Sequence, residues 1–354
     1  MAESLSKLRA QIDALDNRLV KLLSARARMA QRIGGVKAGA VYRPEREAQV
    51  LRRVIQSNRG PLGDAALARL FTEIISACRA LEDSMAVAYL GPEGTFSQEA
   101  VSKHFGGLTS AVSCGSIDEV FRRVETDSVG YGVVPVENST EGAIGRTLDL
   151  LLSTPAKVCG EVVLPIRQCL MGRSKRLADV RRVYSHAQSL AQCQQWLARH
   201  LPGADRRPVV SNAEAARIAA RERGAAAIGP KLAATIYKLN LLARNIEDEP
   251  RNSTRFLVLA AQDAAPSGND KTSLILSTRN APGAIHELLG PLAANQVSMT
   301  RLESRPSRTG LWEYVFYVDI EGHQQEGNVA RALAELERKA SFLKNLGSYP
   351  AAVT

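Results

Sequence analysis

The chain has 354 residues, a formal net charge of +10 and five cysteines. At about 150 residues per domain the length implies two or three domains, and 45% hydrophobic against 23% charged residues excludes a mainly disordered chain. No run approaches the ~18 apolar residues of a membrane span, no signal-peptide pattern follows Met1, and Cys78, Cys114, Cys159, Cys169 and Cys193, odd in number and without a CxxC pair, exclude a disulfide framework and a zinc ribbon. A reduced, cytoplasmic, multidomain protein with no membrane partner is expected.

The first segment, 1–85, reads as helices only. Leu5, Leu8, Ile12, Leu15, Leu19 and Leu22 recur at alternating spacings of three and four, and the rhythm runs on through positions 26, 29, 33 and 36. That pattern is a long helix with a narrow apolar seam suited to a partner helix. A second helix opens near Pro44, tolerated in a first turn. The stretch 57–64 is a loop by composition, and a third helix carries Leu67, Leu70, Phe71, Ile74, Ile75, Cys78 and Leu81. Three helices with so long a first member leave the seam uncovered, so a dimer is expected.

From residue 86 to 262 short apolar strands (Val87–Leu90, Tyr131–Val134, Val162–Leu164, Val183-Tyr184, Phe256–Leu259) alternate with helical stretches such as 117–124, 187–200 and 212–223. Alternation of this kind predicts an α/β layer architecture with ligands at the strand ends. Residues 263–270 are a linker by composition. Beyond it, 271–354 shows a βαββαβ order, which is ferredoxin-like. The charge divides as +6, +5 and −1 over 1–85, 86–262 and 263–354. Nucleic acid and small anionic substrates both suit a basic chain. The basic residues form no runs with interleaved aromatics, so no nucleic-acid partner is expected.

Arg26 falls on the apolar seam, four residues after Leu22. A guanidinium there needs a partner. Ion pairing with Glu47 or Glu82 and an anion site inside a helical bundle explain it equally well from spacing. Residues 5–82 resemble the all-helical chorismate mutase family through Leu8-Arg9-x-x-Ile12-Asp13-x-Leu15-Asp16, the Arg26 region, Ile33-Gly34-x-x-Lys37 and Arg43-Pro44-x-Arg46-Glu47. The resemblance implies two interleaved chains, with Arg9 reaching the neighbour's pocket. It implies Arg26 and Arg46 on substrate carboxylates, Lys37 donating to the ether oxygen and Glu47 accepting from the substrate hydroxyl. Many members carry glutamine at the position of Glu82, as a second donor to that oxygen. A glutamate donates only when protonated. The rearrangement needs a compact dianion and aimed donors, not a metal or redox cofactor, and no cofactor is expected.

The middle segment resembles prephenate dehydratase through Gly91–Ser97, Val134-Pro135-Val136-Glu137-Asn138-Ser139, Ser185-His186-x-Gln188 and Asn252-x-Thr254-Arg255-Phe256. Singly these read as a turn, a helix cap, a surface histidine and a strand; together and in family order they do not. The resemblance implies two α/β lobes around a cleft, as in periplasmic binding proteins, with prephenate between them. Thr254 would donate to the leaving hydroxyl, Arg255 would hold a carboxylate or fix the loop, and Thr95, Asn138, Ser139 and Gln188 would line the pocket.

The last segment resembles an ACT regulatory domain through Pro282-Gly283-Ala284-Ile285, Glu303-Ser304-Arg305-Pro306, Trp312-x-Tyr314 and Leu346–Pro350. It implies phenylalanine as effector, near Gly283, Ala284, Glu303, Ser304 and Arg305. Ile285 and Ser298 depart from the common leucine and asparagine. The expected activity is chorismate to prephenate to phenylpyruvate, with feedback by phenylalanine, in a homodimer or dimer of dimers. A dehydratase acting on arogenate, and a binding protein without catalysis, are the other readings the sequence leaves.

Overall fold

The structure, a computed structural model, describes residues 4–36, 42–82, 85–307 and 314–353. Lys37 and Trp312, both named from the sequence, lie outside the described residues. The chain opens with three helices, α1 (Leu5–Val36), α2 (Pro44–Gln56) and α3 (Asp64–Arg79). The apolar seam of α1 is not covered: the helix has no buried residue, and Leu5, Ile12, Leu15, Leu19 and Leu22 stand more than half exposed. Only its C-terminal part rests on α3, where Arg26, Ala27, Ala30 and Gly34 become half-buried.

Two sheets follow. The first lobe runs β1 (Ala86–Leu90), α4 (Phe96–Phe105), β2 (Ser110–Cys114), α5 (Ile117–Glu125), β3 (Tyr131–Asn138), β4 (Gly142–Ala143), α6 (Gly145–Ser153) and β5 (Lys157–Pro165). The second runs β6 (Cys169–Gly172), β7 (Arg182–His186), α7 (Ala187–Gln192), α8 (Gln194–His200), β8 (Asp205–Val209), α9 (Asn212–Ala219), β9 (Ala225–Gly229), α10 (Lys231–Ile236) and β10 (Asn240–Arg244). Then β11 (Ser253–Ala260) returns to the first sheet, between β3 and β5 and antiparallel to both. The strand orders are β2-β1-β3-β11-β5 and β10-β6-β9-β7-β8. The single helix expected over 187–200 is broken at Cys193. The carboxylate of Asp248 accepts from the backbone N–H groups of Gln195 and Trp196 at 2.9 and 3.0 Å, giving α8 its own N-terminal cap.

The last unit is β12 (Asp270–Ser277), α11 (Ala284–Ala294), β13 (Met299–Pro306), β14 (Tyr314–Glu321), α12 (Gly327–Lys339) and β15 (Phe342–Pro350), in the order β13-β14-β12-β15. The βαββαβ expectation holds. One face of this sheet, with Leu274, Leu276, Phe316 and Val318, is covered by α11 and α12. The other face, with Ile275, Val315, Tyr317 and Tyr349, shares a continuous core with Leu148, Leu151 and Leu257 of the first lobe. Lys344 Nζ donates to the carbonyls of Leu151, Leu152 and Thr154 at 2.9, 3.0 and 2.5 Å, placing a cation at the C-terminal end of α6.

Two glycines set the joints. At Gly106, φ is +79° and an added Cβ would stand 2.4 Å from Ser76 Cβ, so α3 packs onto the end of α4 only because no side chain is there. At Gly347, φ is +134° and a Cβ would meet Val158 O at 2.4 Å, where β15 lies against β5. Gly106→Ala carries both a left-handed backbone and a clash. It is expected to destabilise the chain by about 2 kcal/mol or more, read from thermal or denaturant unfolding, with part of the loss recovered in a Ser76→Gly background.

Candidate active sites

The cleft between the two lobes encloses about 550 Å³. Its chemistry comes from strand ends and helix starts. Thr95 precedes α4, His186 precedes α7 and Ser211 precedes α9, and the residues around all three helix N-termini line the space. Among the described residues no lysine or arginine lines it. Oriented backbone N–H groups at helix starts favour an anion without a formal cation.

Thr254, at the start of β11, and Asn138, at the end of β3, are register partners. Both are buried. Asn138 Oδ1 accepts from Thr140 N, Thr140 Oγ1 and Glu141 N at 3.0, 2.6 and 3.2 Å. Two of those donors are backbone amides, so the side-chain oxygen must face them and its NH₂ must face the cleft. That NH₂ donates to Thr254 Oγ1 at 2.9 Å and to Asn252 Oδ1 at 3.0 Å. Thr254 therefore accepts from Asn138 and keeps its own proton for a ligand. Gln168, almost fully buried in the cleft wall, donates to Ser189 Oγ and Gln192 Oε1 at 3.0 and 3.2 Å, tying the second lobe's helix start to β6.

In the helical unit Arg26 Nη1 donates to Cys78 Sγ at 2.8 Å. The Glu82 carboxylate lies against the α1 backbone at Gly34, where an added Cβ would be 3.3 Å from Oε2. Glu47 pairs with Arg79 at 2.5 Å. Burial pushes the Glu47 carboxyl up, Arg79 and then Arg26 pull it down, and Glu82 adds a smaller push upward. Arg26, Glu47 and Glu82 thus face one region between α1, α2 and α3. Arg9 does not: it is exposed, and seventeen residues of helix place it about 25 Å from Arg26. Arg46 is exposed on α2 beside Glu47.

A third cavity, of about 1000 Å³, lies in the last unit, lined among others by Ala284, Ile285, Ser304, Phe316 and Phe342 and by Leu152 of the first lobe.

Sequence profiles of three families match this chain in order: "Chorismate mutase type II" over residues 8–83, "Prephenate dehydratase" over 87–264 and "ACT domain" over 272–338. Relatives described as "Bifunctional chorismate mutase/prephenate dehydratase" are 50% identical in Stutzerimonas stutzeri, over 99% of both chains, and 51% identical in Neisseria gonorrhoeae, over 97% of this chain and 96% of that one. The chain belongs to the bifunctional chorismate mutase/prephenate dehydratase family. It is an enzyme with both activities. Among solved structures, the prephenate dehydratase of Arthrobacter aurescens in complex with L-Phe is 33% identical with a TM-score of 0.70, over 75% of this chain and 90% of that one. The enzyme from Staphylococcus aureus is 30% identical with a TM-score of 0.66, over 75% of this chain and all of that one.

Several residues named from the sequence sit elsewhere than expected. Thr95, Asn138, Gln188 and Thr254 line the dehydratase cleft, but Ser139 and Arg255 do not. Ser139 Oγ accepts from Ser253 N at 3.0 Å and donates to Asn252 Oδ1, bracing the turn behind Asn138. Arg255 follows Thr254 on a strand, so its side chain leaves by the opposite face. There Nε meets Glu161 at 2.8 Å, Nη1 meets Asp319 at 2.5 Å and Nη2 meets Tyr349 Oη at 2.8 Å. The expectation of a carboxylate-binding arginine is corrected: Arg255 joins the dehydratase lobe to the ACT sheet. The same alternation splits the effector residues. Ala284 and Ser304 line the ACT cavity and Gly283 precedes α11, while Glu303 and Arg305 turn to the sheet's other face, where Arg305 meets Asp149 at 3.3 Å. Arg79 was missed, its place at the end of an apolar helix giving no hint of a buried charge. Thr254→Ala should lower dehydratase kcat at least about a hundredfold with mutase kcat unchanged, and Asn138→Leu should lower it in the same direction. Assays of the two products on each variant check this, and equal loss of both activities would show that the sites are not separate.

Proposed function

We propose that prephenate occupies the cleft with its ring hydroxyl at Thr254. The C–O bond to that hydroxyl and the C–C bond to the ring carboxylate break together. The electron pair released with carbon dioxide fills the ring, and the hydroxyl leaves as water with the proton that Thr254 supplies. Solvent restores that proton, so one proton is taken up in each turnover. Asn138 is the group the reaction leans on, because its NH₂ bonds the Thr254 oxygen as charge grows there. The observation that carries this reading is the Asn138–Thr254 pair at 2.9 Å in a cleft with no lysine or arginine among its described lining residues. In such a site the substrate carboxylates meet helix N-termini and no tight salt bridge, which eases departure of the ring carboxylate as neutral gas.

For the mutase half, we infer that chorismate binds among Arg26, Arg46 and Glu47, with Lys37 and Glu82 as the two donors to the ether oxygen. Arg9 comes from a second copy, since about 25 Å separates it from Arg26 in its own helix. The uncovered seam of α1 supports a homodimer formed along that helix. The boundaries that follow are 1–85 for the mutase, 86–262 for the dehydratase and 271–354 for the ACT domain. Five free thiols, all buried, suit a reducing cytoplasm. Because Glu82 donates only in its protonated form, mutase kcat/KM should fall as pH rises, and Glu82→Gln should flatten the profile. A flat wild-type profile from mildly acidic to alkaline pH would remove Glu82 from the donor role.

Phenylalanine is proposed as the effector in the ACT cavity. Its carboxylate suits the start of α11 at Gly283 and Ala284, and its ring suits Phe316 and Phe342. The route to the cleft runs through β13, where Ser304 faces the cavity and Arg301 faces Glu137 of β3 at 2.7 Å. Ala284→Leu fills the cavity. It is expected to abolish inhibition by phenylalanine while dehydratase kcat stays at the wild-type value; a variant inhibited as strongly as the wild type would place the effector elsewhere.

A further inference from the structure

Arg79 is almost fully buried at the C-terminal end of α3, in the joint between the helical unit and the dehydratase lobe. Its guanidinium is held from four sides. Nη1 donates to Glu47 Oε1 at 2.5 Å. Nη2 donates to the carbonyl of Phe105 at 2.5 Å and to Thr109 Oγ1 at 3.2 Å. The rings of Tyr42 and Phe105 stand 5.5 and 5.7 Å from Cζ. Phe105 ends α4, so the arginine also answers the negative end of a dehydratase helix. A charge buried this completely needs an opposite charge and hydrogen-bond acceptors around it.

We propose that Arg79 is a positioning residue for the mutase reaction, through which the dehydratase lobe fixes the Glu47 carboxyl in place and aims it at the substrate hydroxyl. The inference rests on the reading of Glu47 as the hydrogen-bond acceptor of that hydroxyl. Among the described residues Arg79 engages only Oε1 of Glu47, which leaves Oε2 for the substrate. Among the described residues the groups facing Glu47 are few. Arg79 comes from α3 and Arg26 from α1, Glu82 from the turn after α3, and the phenols of Tyr42 and Tyr131 from the chain before α2 and from β3. His104 of α4 lies behind them, 2.6 Å from the Tyr42 hydroxyl, and is kept neutral, its pKa pushed down to about 4 first by burial and then by Arg79 and Lys103. Burial drives the Glu47 carboxyl toward its neutral form, and Arg79 is the strongest force against that. Without Arg79 the acceptor would take up a proton at higher pH and lose its fixed direction. The mutase acceptor is thus tuned by Phe105 and Thr109, residues of another domain.

The test uses the full-length enzyme and measures mutase kcat/KM against pH, dehydratase kcat and Tm. Arg79→Met is expected to lower mutase kcat/KM about tenfold or more at neutral pH, and to move the acidic limb of the profile upward. Dehydratase kcat is expected to stay unchanged. Arg79→Lys, which keeps the charge, should recover part of the activity and of the profile. Added to Glu47→Gln, Arg79→Met should have no further effect on the mutase. If Arg79→Met does not fold, Arg79→Gln is read in its place. The inference is overturned by a mutase profile that superimposes on the wild type, by an undiminished effect of Arg79→Met in the Glu47→Gln background, or by parallel loss of both activities with a lowered Tm. If Glu47→Gln itself has wild-type mutase activity, the reading of Glu47 fails, and the inference with it.

Discussion

Four charges form a square between the dehydratase lobe and the ACT sheet. Glu137 and Arg255 are register partners on β3 and β11, and Arg301 and Asp319 are register partners on β13 and β14. Across the joint Arg301 meets Glu137 at 2.7 Å and Arg255 meets Asp319 at 2.5 Å. Glu161 and Lys271 extend the square, 2.8 Å apart, with Glu161 also on Arg255. Removing charges like these from water costs several kcal/mol each unless every partner is present. The two sheets can therefore meet in one register only. Since β-strand side chains alternate, the same register sets Asn138 and Thr254, the next residues along, in the cleft on the opposite face. The Asn138–Thr254 pair in the cleft and the domain joint are two faces of one pair of strands.

The helical unit uses its charges differently. Among its described residues the one deeply buried cation, Arg79, faces another domain, while Arg9 and Arg46 stand exposed. Arg52 is a second such clamp: it donates to the carbonyls of Ser267, Asn269 and Ala351 and to Ser267 Oγ, fastening α2 to the linker and to the residue after β15. Net charge by segment is thus a poor map of sites. The dehydratase lobes carry an excess of +5, yet the cleft is lined by neutral donors and helix starts. Much of the basic excess is exposed or tied to nearby acids, as in Arg207 with Asp205 and Arg217 with Glu214.

Elements with a strong period were legible. The 3–4 seam gave α1 to its last turn, and the βαββαβ order of the last segment was read from its hydrophobic runs. The strands that escaped notice lack such a signal. The strand β9 is Ala-Ala-Ala-Ile-Gly, fully buried but of helical composition, and β8 is Asp-Arg-Arg-Pro-Val at a sheet edge. Tertiary packing overrides propensity in the first case, and the second needs only one neighbour. The break at Cys193 was invisible because its cause, Asp248, lies fifty-odd residues away. Among site residues the motifs found the cleft, but a motif does not say which face a residue takes. Ser139, Arg255, Glu303 and Arg305 were drawn in with neighbours that alternate away from them.

That alternation also bears on how an effector can reach the chemistry. On β13, Ser304 faces the ACT cavity, while Arg301, Glu303 and Arg305 face the lobe. A ligand that tilts this edge strand acts first on Arg301 and Arg305. Arg301 is paired with Glu137, one residue from Asn138, and Arg305 lies against Gly145 at the start of α6. Both contacts end within the first lobe, on segments adjoining the cleft. Because Glu137 and Asn138 are adjacent on β3, the strand that carries the contact with Arg301 also carries the bond from Asn138 to Thr254. Coupling through a shared strand needs no separate relay: the residues that hold the ACT sheet in register and the residues that hold Thr254 are neighbours on the same two strands.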